Sequence, residues 1–114
     1  MTLREQMDRQ AAGLPPPCVE GDKEALTLTV HLSDGEIWVF AWSRFSHACM
    51  RGEQLTIVFG DQEIVVRGQN LLPVAKKISA FSVEILRTVE PSYRALIPFA
   101  ESFISAIEVH AAGD

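Results

Sequence analysis

His47 and Cys49 stand two residues apart in the stretch SRFSHACMRG (43–52). Imidazole and thiolate are the donors that zinc-like metals take up, so the pair reads as half of a metal site. Cys18 and His31 supply the residue types that would complete four ligands. Structural zinc sites use tightly paired spacings, however, and none occurs in this chain. The simpler expectation is that His47 faces solvent, Cys49 points inward, Cys18 sits on a loop and no metal is bound.

A second constellation is aromatic. In EIWVFAW (36–42), Trp38, Phe40 and Trp42 occupy every second position, which in a strand puts all three rings on one face. Such a stripe can be core, an interface between copies, or the wall of a small-ligand pocket in which His31 supplies the polar group. Nothing resembling GxSxG, HExxH or a phosphate-cradling glycine pattern accompanies it. Carboxylates such as Asp34, Glu36, Asp61 and Glu63 gather near expected turns, where solvated strand ends place them. The reading is therefore non-enzymatic, with no catalytic residue and no cofactor assigned.

The elements that must position these residues begin after a polar N-terminal extension. Residues 1–24 hold a short amphipathic helix through Gln10 and then Gly13 and Pro15-Pro16-Pro17, which stop it and impose an extended spacer. A single domain over 25–114 follows. Its first hairpin joins LTLTVHL (26–32) to EIWVFAW. With Asp34-Gly35 as a two-residue loop, Leu32 pairs with Ile37 and Val30 with Val39. That register collects Leu28, Val30, Leu32, Ile37, Val39 and Ala41 on one face, and sets His31 opposite Trp38 on the other. A connection or helical turn over 43–52 leads to a second hairpin, in which Leu55, Ile57, Phe59, Ile64 and Val66 share a face. Asn70 reads as the N-cap of a helix running to about residue 80. A strand or extended segment follows before Pro91, and a last strand covers Phe103 to Val109. The expected fold class is α+β: an antiparallel β-meander of about four strands, one helix packed on the sheet, and one or two further C-terminal strands.

Two resemblances rest on these residues. LTVHLSDGE and EIVVRGQNL are similar to the two motifs of Sm-like RNA-binding proteins, with Asp34-Gly35 at the turn and Arg67-Gly68 after a β-branched strand. The resemblance implies an RNA contact at Arg67. The chain departs from that pattern where Val39-Phe40-Ala41 replaces a strand glycine. It departs again where Phe45 to Met50 replaces the base-contacting Asp and Asn. The order of hairpin, VVRGQNL, helix, strand-like segment and terminal IEV is also similar to small bacterial proteins of unknown function, which implies a stand-alone domain and no site residues.

Charge and cysteine usage bound the partners. The net charge of −5 argues against nucleic acid, which is bound through clustered Lys and Arg. No apolar run reaches the roughly 18 residues of a membrane helix, and MTLREQMDRQ has no secretory core, so a cytoplasmic location is expected. The expected function is an interaction or oligomerisation module, with self-association or an unidentified protein partner. The alternatives are a ligand pocket or small enzyme site near Trp38 and His31, and an Sm-like RNA-binding module.

Overall fold

The computed structural model describes residues 3–11, 13–98 and 100–112. Among them, eight strands form two four-stranded sheets. The first sheet holds, in spatial order, β1 (Val19–Glu20), β7 (Ile85–Arg87), β2 (Thr27–His31) and β3 (Ile37–Ala41). The second holds β4 (Phe45–Arg51), β5 (Gln54–Phe59), β6 (Gln62–Gln69) and β8 (Phe103–Ala111). Two helices, α1 (Leu3–Ala11) and α2 (Leu72–Ser79), accompany them. The architecture is mostly β and mostly antiparallel, with β7 running parallel to β2.

The expected meander is therefore divided, because its two hairpins belong to different sheets. A 3₁₀ turn over Trp42–Arg44 redirects the chain between them. The segment expected as a connection is β4, and the slip in its pairing between Phe45 and His47 marks a bulge at Ser46.

The second hairpin follows its alternation. Leu55 opposes Val66 and Ile57 opposes Ile64, all essentially buried. Gly60 takes a φ of 56°, the positive value that the first position of a tight two-residue turn requires. β8 completes the sheet on the far side of β6, where the two backbones come unusually close. A Cβ on Gly68 would lie 1.9 Å from the carbonyl oxygen of Phe103, so only glycine fits.

The first hairpin departs from its expected register by one residue. Val30 pairs with Trp38 and Leu28 with Phe40, while Thr29 pairs with Val39 and His31 with Ile37. The cause lies in the turn. The loop is Ser33-Asp34-Gly35, closed by the Gly35 N–H donating to the Leu32 carbonyl (3.1 Å), with Gly35 at a φ of 91°. The Asp34 carboxylate accepts from the Glu36 N–H at 2.9 Å and sets this three-residue form. One extra loop residue slips the pairing by one and moves every β3 side chain to the other face. The aromatics thereby join Leu28 and Val30 on the buried side.

The core takes residues from both sheets and from α2, which contributes Val74 and Ile78. Asn70 is not the N-cap. It has a φ of 56° and donates its amide to the Ala100 carbonyl, while Leu71 caps the helix without a side-chain bond. Pro73 sits in the first turn, where no partner for its nitrogen is needed. The helix ends in the paired backbone bonds of a Schellman motif. The Phe81 N–H reaches the Ile78 carbonyl and the Ser82 N–H reaches that of Lys77. Phe81 holds the left-handed position (φ 54°) where glycine is usual.

Residues 18–20 take part in this packing. Cys18 is buried, and Val19 opposes Leu86. Arg9, on α1, donates to the Pro15 carbonyl and to both carboxylate oxygens of Glu101.

Candidate interaction surfaces

The register decides where the aromatics lie. Phe40 and Trp42 are buried in the core and Trp38 is partly buried at its rim. Trp42 is the centre of the cluster, with Phe59, Phe81 and Phe45 at ring separations of 5.2, 5.3 and 5.6 Å. Its indole N–H donates to the Val83 carbonyl at 3.0 Å, which satisfies the polar end of a buried ring. Trp38 stacks on Phe40 (5.8 Å) and bonds the Glu36 carboxylate. His31 points to the opposite face, between Ile37 and Arg87 in the pairing. His31 and Trp38 therefore do not line one pocket.

What the slip exposes is aliphatic. Ile37 and Val39 are 57% and 63% exposed, although both are β-branched strand residues. β3 is also an edge strand, paired among the described residues with β2 alone. The Leu32 N–H bonds the Glu36 carbonyl at 2.9 Å and the Trp42 N–H bonds the Leu26 carbonyl at 3.0 Å. These bonds bracket the ladder. Antiparallel alternation then turns the main-chain groups of Trp38 and Phe40 toward β2, and those of Ile37, Val39 and Ala41 outward. One strand thus presents apolar side chains and unpaired backbone together. Ordinary edge strands carry a charge, a proline or a bulge there. The sequence holds a signal for this surface: Ser-Asp-Gly before a strand also fits a three-residue loop, and that loop turns Ile37 and Val39 outward.

Arg67 lies on the outer face of the second sheet. Its guanidinium meets the Glu108 carboxylate at 3.3 Å, an exposed pair of small energetic weight. It lines an open cleft of about 670 Å³ with Gln54, Gln69, Arg94 and Glu53. The Arg94 guanidinium lies over the Phe103 ring, 5.3 Å from its centroid, and donates to the Gln69 amide oxygen. The carboxylates of Glu53 and Glu108 offset much of this charge, unlike the clusters of cations through which phosphate is bound.

The sequence-suggested metal donors are dispersed. His47 and Cys49 share the outer face of β4, opposite Val58 and Thr56. His31 is in the other sheet and Cys18 is in the core. Among the described residues no group of three His, Cys, Asp or Glu side chains could hold a metal. The two thiols exchange their expected places, with Cys49 exposed and Cys18 buried. Burial pushes the Cys18 thiol above its ordinary range, and its sulfur accepts the Ile104 N–H at 3.2 Å.

No helix among the described residues is long and apolar enough to cross a membrane. Comparison of the chain with protein-family models, with curated proteins and with solved structures finds no match in any of the three.

Proposed function

We propose that this chain is a non-enzymatic interaction module that self-associates by pairing β3 of one copy with β3 of another. The observation that supports the reading is the coincidence, on β3, of an open backbone edge with exposed Ile37 and Val39. An antiparallel two-fold pair centred on Val39 sets Val39 against its own copy and Ile37 against Ala41. The contact is self-complementary, as a two-fold pair requires. The two sheets join into one, and the exposed Ile37 and Val39 side chains gain cross-strand neighbours that shield them in part. In this reading α2, packed on the sheet, covers the core, and the Trp42 cluster is scaffold for the edge rather than a docking surface. The free Cys18 and Cys49 suit a reducing compartment such as the cytoplasm.

Analytical ultracentrifugation of the whole chain tests this. Association at micromolar concentration is expected, and Val39→Lys, a charge placed on the exposed edge, should give a folded monomer whose melting temperature no longer depends on concentration. A wild-type monomer throughout the micromolar range sinks the proposal.

A further inference from the structure

The inner side of the second sheet is sealed over its central strands, where Leu55, Ile57, Ile64 and Val66 are at most 1% exposed. Over β4 it opens. Ala48 and Met50 point to that inner side, because they oppose Ile57 and Leu55, yet both are exposed. Between them and α2 runs a groove of about 350 Å³, whose other walls include Phe45, Ala75, Ile78 and Phe81. The groove occupies the place where an inward side chain of one more strand would sit.

The backbone beside the groove is also open. Among the described residues β4 pairs with β5 alone. A two-residue turn, Gly52-Glu53, joins the two strands and is closed by the Arg51–Gln54 pair. Alternation from that closing pair leaves Ala48 and Met50 with main-chain groups directed outward, available to an added strand.

Phe81 is the second observation. A phenylalanine in the left-handed region is strained relative to the glycine usual at a helix end. Its ring is edge-on to Phe45 (5.5 Å) and stays 37% exposed at the groove. Strained residues of this kind gather at ligand clamps.

Charge identifies the occupant. Arg44 precedes β4 and Arg51 ends it, the latter on the outer face with His47 and Cys49. Both arginines are exposed, and among the described residues neither is in an ion pair. The other titratable groups on β4 and α2 are His47, Cys49, Lys76 and Lys77, with Glu53 in the turn as the one carboxylate. Free arginines at both ends of an open strand stand out on a chain of net charge −5. We propose that β4 and α2 bind an extended, acidic and apolar segment of a partner protein. The segment adds a fifth strand to the second sheet, inserts an apolar side chain between Met50 and Phe81, and turns its alternate carboxylates to the outer face, toward the arginines at the ends of β4. This surface is separate from β3 and does not depend on self-association.

The test uses the whole chain and two seven-residue peptides, matching β4 in length. One alternates Ile with Glu and the other alternates Ile with Lys. Fluorescence anisotropy should show the Glu peptide binding at least about tenfold tighter than the Lys peptide, a difference that narrows at high salt. Amide shifts should move in β4 and α2 and stay still in β3. Ala48→Pro should weaken binding by about tenfold or more, since proline blocks an added ladder while an edge strand accepts it. Arg51→Glu, at an exposed strand end outside any ion pair among the described residues, should weaken binding in the same direction. Equal or absent binding of the two peptides overturns the proposal. So do shifts confined to β3, or β4 shifts that appear without peptide as the chain is concentrated, which would make a second copy the occupant.

Discussion

Trp42 donates its indole N–H to the carbonyl of Val83, which joins the corner between the two sheets to the segment that follows α2. The bond fixes the orientation of the ring around which Phe45, Phe59 and Phe81 pack. Trp42→Phe keeps most of the apolar contact but leaves the buried Val83 oxygen without its donor. A loss of about 1–3 kcal/mol is expected, read as a lower urea midpoint at constant slope. Acrylamide should quench Trp38 and leave Trp42 protected, so fluorescence of the single-tryptophan Trp42→Phe chain should be quenched more strongly than that of Trp38→Phe.

Gly68→Ala places a methyl group against the β8 backbone, 1.9 Å from the Phe103 oxygen and 2.9 Å from the Ile104 Cα. Neither neighbour is the mobile end of a side chain. Relief therefore means separating β6 from β8, and a destabilisation at or above the upper end of about 1–3 kcal/mol is expected. Hydrogen exchange of the β8 amides should quicken before that of β5. An alanine variant as stable as the parent would show that the two strands are not so closely apposed.

The two thiols should differ in reactivity and in their link to pH. A thiol reagent should modify Cys49 at once and Cys18 only as fast as the fold opens, and Cys49→Ser should remove the fast phase alone. Burial raises the Cys18 pKa above the ordinary 9.0, so the folded state holds that proton more tightly than the unfolded chain. The sign follows from linkage. The Cys18 contribution is fully present below pH 9.0 and is lost as pH rises from there through the folded-state pKa. Cys18→Ala should flatten that alkaline decline, measured as urea stability against pH.

Arg9 and Glu101 form a two-pronged ion pair with side chains 15% and 26% exposed, and the same guanidinium holds the Pro15 carbonyl. Arg9→Ala removes all of these bonds. A loss of about 1 kcal/mol in global stability is expected, because the pair is only partly shielded. The larger effect should be local, with faster proteolysis within residues 3–17 and little change in the sheets.

Much of the strand content could be read from the residues, because strands with one buried face carry strict alternation. The β5–β6 hairpin is legible down to its pairs, since a two-residue turn at Gly60 permits a single register. The first hairpin is less so. Ser33-Asp34-Gly35 serves equally as a two-residue or a three-residue loop, and the choice between them rests on one Asp34 hydrogen bond. That one-residue ambiguity separates a core of Trp38, Phe40 and Trp42 from a core of Ile37 and Val39. β4 escapes detection for a different reason: as an edge strand open on its inner side, its residues after Phe45 are all exposed and carry no contrast between faces. Periodicity is also silent on which strands meet. The insertion of β7 between β1 and β2 is decided by what Leu86 and Val30 bury together.

That insertion bears on how the chain matures as it is synthesised. β2 and β3 emerge early, but Leu86 reaches Val30 only after the second sheet and α2 have been made. Until then β2 and β3 form a two-stranded ribbon with both flanks open, too small to be stable alone. Closing so distant a parallel contact is slow, because the intervening chain must be ordered first. The newborn protein thus exposes a β2 flank that β7 later covers, while the β3 flank stays open throughout.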